Sequence, residues 1–366
     1  MAVLGVASIT PAFPRVMEAL NISPQSVGLL ITVFTLPGVL LTPVLGVLAD
    51  RFGRKKILVP SLMLFGIAGG ACFFARDFGI LLLLRFFQGI GAASLGSLNI
   101  TIIGDLFKGR ERAAAMGYNA SVLSIGTASY PAVGGILATF GWYYPFLLPF
   151  VAIPVGFAVL FGLKNPEPRN KESMGEYLSK AFRSVGSLKA MALFSATVST
   201  FIILYGSYLT FFPLLLSLFG AQPFIIGMVM SSMSLTTAIT SSQLGRMTRR
   251  FQERSLLRAA FVLYSISLLL IALSPSLWIL LIPTVLFGIA HGLNLPSIQT
   301  LLAELAPMEY RAAFMSVNGM VLRIGQTLGP ILMGLIFGFA GMSGVFYAGS
   351  ILAIFTAVMI AVLIRN

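Results

Sequence analysis

The feature that most limits what this chain can fold into is a succession of apolar runs with almost no charge inside them. A run of roughly 20 apolar residues crosses the hydrocarbon of a bilayer as a helix. Such runs cover approximately residues 1–14, 24–45, 57–75, 79–104, 114–138, 143–163, 190–218, 224–245, 256–274, 278–303, 313–338 and 343–364, twelve in all. The 366 residues are 57% hydrophobic and only 10% charged, where a soluble domain carries about 25% charged residues. The expectation is an all-α, multi-pass membrane protein with lipid as its main solvent. Cys72 is the single cysteine and lies in an apolar run, so no intramolecular disulfide is expected. No cleavable signal peptide is read at the start. No G-x-x-x-x-G-K-[ST] phosphate loop appears, so no ATP motor and no cofactor are expected. One histidine and one cysteine make a metal site improbable on composition.

The net charge of +13 first suggests a nucleic-acid partner, but its distribution explains it otherwise. Arg51, Arg54, Lys55 and Lys56 follow the second run, and Lys108, Arg110 and Arg112 follow the fourth. Lys164, Arg169, Lys171, Lys180, Arg183 and Lys189 lie between the sixth and seventh. Arg246, Arg249, Arg250, Arg254 and Arg258 follow the eighth, with Arg311 and Arg365 on the same side. The opposite loops hold only Arg15 and Arg76. Positive residues stay inside, which places both termini in the cytoplasm of a cell membrane. No nucleic acid is needed.

The chain also repeats itself. At an offset of 199 residues, Pro14 meets Pro213, Gly28 meets Gly227, Gly46 meets Gly245 and Arg51 meets Arg250. Further along, Gly89 meets Gly288, Arg112 meets Arg311, Asn119 meets Asn318, Gly126 meets Gly325 and Pro131 meets Pro330. The domains expected are therefore a six-helix half over 1–163, a linker over 164–189 and a second six-helix half over 190–366. In the linker, Met174, Tyr177, Leu178, Ala181, Phe182, Val185 and Leu188 recur at helical spacing. They predict an amphipathic helix on the inner leaflet, a tether between the halves. In the repeat Met1 falls on Thr200, already inside the seventh run. Helix 1 is thus expected to lack about ten residues at its cytoplasmic end, from a truncated or misassigned start.

Of the charged side chains, only Arg85 and Arg323 fall within helices, and no acid does. A buried charge in a membrane is costly and marks a partner or a wet cavity. Both arginines are therefore candidates for substrate or proton coupling, Arg85 with an alternative role as a packing residue satisfied by backbone carbonyls. His291 can exchange protons near neutral pH or serve as a neutral link between helices. Gln88, Asn294, Tyr130 and Tyr205 join the candidates for substrate or proton coupling, and Asn99, Asn119, Asn294 and Asn318, with Tyr205 and Tyr208, can line a cavity. Polar residues in membrane bundles also act as glue.

Three motifs resemble those of the major facilitator superfamily. Gly46-x-x-x-Asp50-Arg51-x-Gly53-Arg54-Lys55-Lys56 resembles its signature loop between helices 2 and 3. Arg85-x-x-x-Gly89-x-x-Ala92 is similar to its helix 4 motif, which the family associates with proton coupling. Gly126-Thr-Ala-Ser-Tyr130-Pro131-Ala-Val-Gly134-Gly135 resembles its antiporter motif, with Tyr130 in place of a glycine. A second copy runs through Gly325, Gly329 and Pro330 with Met333 at another glycine position. Packing alone is the other reading of both copies. The resemblance implies twelve helices in two pseudo-symmetric halves, with a site between them. It implies that Arg54 pairs with Asp105, that Arg112 joins them, and that Gly46, Asp50, Arg51 and Gly53 belong to the same cytoplasmic gate. In the second half the loop loses the aspartate, since Arg249 stands opposite Asp50.

Within that superfamily the motifs most resemble the drug:proton antiporters. The implied function is monomeric, proton-coupled efflux of small apolar or amphipathic compounds, with no catalytic residue. Two other functions fit the same residues. One is transport of an anionic solute or flipping of a lipid headgroup on Arg85 and Arg323. The other is a non-transporting receptor or assembly protein on the same fold.

Overall fold

The computed structural model describes residues 3–163, 187–305 and 311–364. Its ordered elements are helices, with no strand among the described residues. Ten stretches are long and apolar enough to cross a membrane, from Pro24–Phe52 to Val317–Leu363. The last is two helices joined at Gly341, where φ 66° and ψ −165° call for glycine.

Several expected runs are broken, and proline accounts for most of the breaks. The run expected over 1–14 is a helix Leu4–Ala7, a tight turn Thr10–Ala12 and a helix Phe13–Leu20. Pro11 and Pro14 stand at the starts of the latter two, where a missing N–H costs nothing. The run expected over 143–163 opens as narrow turns over Tyr144–Val151, with Pro145 and Pro149 inside, before the helix Ala152–Gly162. The run over 79–104 divides into Phe78–Ala92 and Leu95–Leu106. The seventh run holds to length but widens into a π-helical stretch, Ile203–Phe211. Residues 164–186, which carry nearly all of the expected linker helix, lie outside the described residues.

The charged stretch Gly46–Lys56 is almost all helix rather than loop. The helix Leu29–Phe52 continues through Asp50 and Arg51, and a new one begins at Arg54. The reversal takes place at Gly53 alone, with φ 98° and ψ 135°. A side chain there would meet the left-handed penalty, so the turn depends on glycine.

The two halves of the sequence meet through one crossing used twice. A Cβ on Gly28 would lie 3.1 Å from Pro330 Cβ, and Gly227 lies against the carbonyl of Pro131. Gly28 and Gly227 are repeat mates, as are Pro131 and Pro330. The same helix crossing is therefore built once by the Pro24–Phe52 and Val317–Leu363 spans and again by Pro223–Met247 and Gly109–Phe140. Inside each half a second crossing repeats. Gly89 packs on the Phe34 carbonyl, and its mate Gly288 packs on the carbonyl of Met233, the mate of Phe34. Small residues bring the backbones close, as in other membrane helix pairs.

All recorded contacts between the halves lie toward one end. Arg15 Nη2 reaches Gln222 Oε1 across the halves at 3.4 Å, while its Nη1 stays within the first half on the carbonyls of Ala138 at 2.8 Å and Thr139 at 2.9 Å. Thr32 Oγ1 donates to the Thr327 carbonyl at 3.2 Å, and Thr35 and Thr327 share a hydroxyl bond of 2.9 Å. Ser231 Oγ accepts from Ala132 N at 3.0 Å. Toward the Gly53 turn the picture reverses. A Cβ on Gly46, Gly117, Gly245 or Gly319 would meet nothing within 4 Å. These four glycines belong to the four helices that cross at the other end. The bundle is closed at one end and open at the end that carries Gly53.

Candidate functional site

Arg85 lies in the interior of the first half and is fully buried. Its Nε donates to the Leu30 carbonyl at 3.1 Å, and Nη1 donates to the Gly5 carbonyl at 2.8 Å and to Gln88 Oε1 at 2.6 Å. The guanidinium carbon sits 4.3 Å from the centre of the Phe34 ring, a favourable place for a cation. Arg85 and Gln88, both expected as candidates for substrate or proton coupling, are fully buried. They tie three helical segments together, and the carbonyls and aromatic ring supply the neutralisation that membrane burial requires.

Arg323 has a different setting. It is half-buried on the helix that crosses Pro24–Phe52, and Nη1 donates to Gln326 Oε1 at 3.1 Å. Tyr205, from the seventh span, lies beside both Arg323 and Gln326. Across the interface a Cβ on Gly38 would come within 3.1 Å of Arg323 Nε. On the Pro24–Phe52 helix, Gly38 is the recorded contact with the other half that lies nearest the open end. Arg323 thus stands where the closed interface ends and the open space begins.

The other candidates are dispersed. His291 Nδ1 shares a 2.5 Å hydrogen bond with Tyr264, which joins the Glu253–Leu273 and Leu281–Leu305 helices. Asn294 Oδ1 accepts from Thr200 at 2.9 Å and is fully buried. Asn318 Oδ1 accepts from Thr197 at 3.1 Å, and Asn99 donates to Asn119 at 2.5 Å. The asparagines therefore connect neighbouring helices. Tyr208 is buried in an aromatic stack, 4.8 Å from Phe212 and 4.5 Å from Phe287. Tyr130 folds back over Gly126, whose Cβ would lie 2.6 Å from the tyrosine hydroxyl. The first glycine of that motif makes room for the residue that breaks it.

The kink motifs lie at crossings. Gly135 faces Gly227, with 3.1 Å from its Cβ position to the opposing Cα. Gly325 packs on Val198 and Phe201, and Gly329 on Ile202 and Gly206. Gly134 abuts the Ser8 carbonyl, while in the second half Met333 fills the corresponding place and Gly206 opposite supplies the space. At the Gly53 turn, Arg54 Nε pairs with Asp105 at 2.6 Å and Nη2 pairs with Asp50 at 3.1 Å. Arg112 is exposed and takes no part in either pair, contrary to expectation, and Arg51 is exposed as well. Its guanidinium carbon lies 5.8 Å from the Phe52 ring centre. Both ion pairs lie within the first half, so they brace helix ends and do not bridge the opening. Among the described residues no group of three His, Cys, Asp or Glu side chains comes together.

Sequence reasoning did not single out Arg15, Thr32, Thr35, Gly38, Ser231 or Thr327. The repeat held a usable signal, since Gly28 and Pro131 recur as Gly227 and Pro330. Nothing in the sequence alone says that one pair packs on the other.

Comparison with known proteins agrees with this architecture. The family model described as Major Facilitator Superfamily matches residues 1–222 and again residues 196–366. Over 367 aligned residues the chain is 28% identical to Multidrug resistance protein 1 of Bacillus subtilis (strain 168), covering 99% of this chain and 93% of that protein. It is 25% identical to the Bacillibactin exporter of the same organism, covering 89% and 85%. Among solved structures, a bacterial homologue of the human lysosomal transporter Spinster, in an inward-facing and unoccupied conformation, matches with a TM-score of 0.79 at 19% identity. That match covers 99% of this chain and 92% of the other. A variant of the nucleoside transporter NupG matches with a TM-score of 0.82 at 13% identity, over 100% and 98%. With the family model matched across its whole length and this fold beneath it, the chain belongs to the major facilitator superfamily, as a membrane transporter and not an enzyme.

Proposed function

We propose that this transporter is a proton-coupled exporter of small apolar or amphipathic compounds that works by alternating access. The observation that carries the reading is the one-ended closure. Four helices, two from each half, touch through Gly28–Pro330 and Gly227–Pro131 at one end and part around Gly46, Gly117, Gly245 and Gly319 at the other. Rocking two rigid halves about the Gly38–Arg323 level closes one end as it opens the other, which is the simplest bistable motion such a bundle offers. The basic residues flank the open end, so by the positive-inside rule that end faces the cytoplasm, as do both termini. Dividing Val317–Leu363 at Gly341 and counting Leu4–Leu20 as a helix gives two sets of six, 1–163 and 190–366, joined by the 164–189 linker. The protein acts as a monomer in the cell membrane.

Export of amphipathic compounds is supported by the relatives, a multidrug resistance protein and a bacillibactin exporter. For the proton we assign His291, the single histidine of the chain, set between the Glu253–Leu273 and Leu281–Leu305 helices. Tyr264 occupies Nδ1, which leaves Nε2 for exchange. The test uses everted membrane vesicles whose lumen is acidified by respiration. A fluorescent amphipathic dye accumulates in vesicles bearing the protein and leaves when nigericin dissipates the gradient. Accumulation no greater than in vesicles lacking the protein contradicts the reading.

A further inference from the structure

We propose that the compounds this transporter takes carry an anionic head, and that Arg323, not Arg85, holds it. The inference rests on the transporter reading above and narrows its substrate class to amphipathic anions.

Position comes first. Arg323 lies twelve residues along a helix that begins at Arg311, about 18 Å in at 1.5 Å per residue. That is membrane depth, at the level where contact between the halves ends. Gly38 faces the arginine with no side chain, and even a Cβ there would lie 3.1 Å from Nε and 3.2 Å from Cδ. The glycine leaves a berth for the guanidinium on the opposing half. Beyond it, the Gly46 and Gly319 positions look onto open space.

Donor accounting separates the two arginines. A guanidinium has five N–H donors. Arg85 spends three of them on Gly5, Leu30 and Gln88, and its Nη2 is sealed from any partner. Arg323 gives Nη1 to Gln326, and no nitrogen of Arg323 is among the sealed, unpartnered atoms. Its spare donors remain accessible.

Charge accounting gives the ligand its sign. The side chains beside Arg323 are those of Tyr205 and Gln326, both neutral. The described carboxylates Asp50, Asp105, Glu111, Glu253 and Glu304 sit at helix ends beside the opening, and Glu18 and Asp77 lie near the closed end. Among the described residues no ion pair involves Arg323. A charge held at depth without an acid is costly until a partner arrives. A carboxylate or sulfonate presents two oxygens to the planar fork and completes it.

The test is equilibrium binding to purified full-length protein in detergent, read by fluorescence. The probes are dansylglycine, an anion, and dansylcadaverine, a cation with the same ring system. Charge-assisted hydrogen bonds of the expected kind make dansylglycine bind about 10- to 100-fold more tightly. Arg323→Gln abolishes that preference, Arg323→Lys retains part of it, and Arg110→Gln on an exposed helix end leaves it unchanged. Variants are compared after each elutes as a single species with an unfolding temperature near that of the unmodified protein. Equal or tighter binding of dansylcadaverine, no binding of dansylglycine, or an undiminished preference in Arg323→Gln overturns the proposal. If binding depends on Arg323 but neither probe accumulates in acid-loaded everted vesicles, the export reading fails and the anion site stands. If both probes are pumped alike, the reverse holds.

Discussion

Arg54 Nε lies 2.6 Å from Asp105 Oδ2, with side chains only 16% and 19% exposed. That shielding sets it apart from a surface ion pair, which contributes about 0–1 kcal/mol. It joins the first residue of the Arg54–Ala71 helix to the last turn of Leu95–Leu106, directly beside the Gly53 turn. Asp50, at 3.1 Å from Arg54 and 42% exposed, is the weaker partner. Asp105→Asn is therefore expected to cut maximal transport in vesicles about ten-fold with little change in KM, and Asp50→Asn to do less. The exchanged pair Arg54→Asp with Asp105→Arg recovers part of the loss. Equal effects of the two single substitutions would place the function of the turn elsewhere.

Gly227 is the tightest recorded glycine approach between the halves at the closed end. A side chain there meets the Pro131 carbonyl and the backbone of Gly135. Gly227→Val is expected to wedge the crossing apart while leaving the interior of each half untouched. The protein should still insert, but transport should fall at least about ten-fold, because a helix pair that depends on close backbone approach cannot reseat. A cysteine placed at Ala221, buried beside the closed end, should gain reactivity toward a membrane-impermeant maleimide added from outside.

Arg85 is expected to act on stability. Arg85→Lys cannot reach Gly5, Leu30 and Gln88 together, and losing one charge-assisted bond costs roughly 2 kcal/mol. Thermal unfolding in detergent should show a lower midpoint, while the KM for any transported dye stays within about two-fold of the original. An unchanged midpoint with lost proton drive would return Arg85 to the coupling role.

How much of this was legible follows from which interactions are local. The ion pair of Arg54 with Asp105 follows from a motif whose geometry is fixed by one glycine turn, and the structure has it. The break at Pro11 and Pro14 is likewise written in the residues, though the apolar count hides it, since hydropathy does not register backbone donors. The role of Arg85 was legible only as one of two alternatives, coupling or packing on backbone carbonyls. Its acceptors are carbonyls of Gly5 and Leu30, and a carbonyl has no residue signature. Gly38 escaped notice for a similar reason. Its value lies in the room it leaves for Arg323, a residue 285 positions away in a chain whose folding alone brings them together. Arg112 shows the opposite failure, because proximity in a family motif did not translate into an ion pair.

His291 tests the proton assignment. The 2.5 Å bond to Tyr264 is kept in geometry but not in chemistry when the imidazole becomes an amide. His291→Gln is expected to leave downhill dye flux near its original rate while abolishing accumulation driven by the pH gradient. Tyr264→Phe, which frees Nδ1, should shift the pH profile of transport without removing the drive. Retained gradient-driven accumulation in His291→Gln would assign the residue to helix linkage alone.

The central claim, that two halves rock between one-ended closures, is tested most directly by distances between spin labels. With Cys72→Ser as background, one pair of labels is placed at Tyr118 and Ser242 beside the opening and another at Ala19 and Leu218 beside the closed end, all exposed positions. Double electron–electron resonance on protein in lipid nanodiscs then reads both distances with and without a transported dye, at neutral and acid pH. Alternating access predicts opposite changes, with the Tyr118–Ser242 distance shortening as the Ala19–Leu218 distance lengthens. Distances that stay fixed under every condition, or that lengthen together, would contradict it.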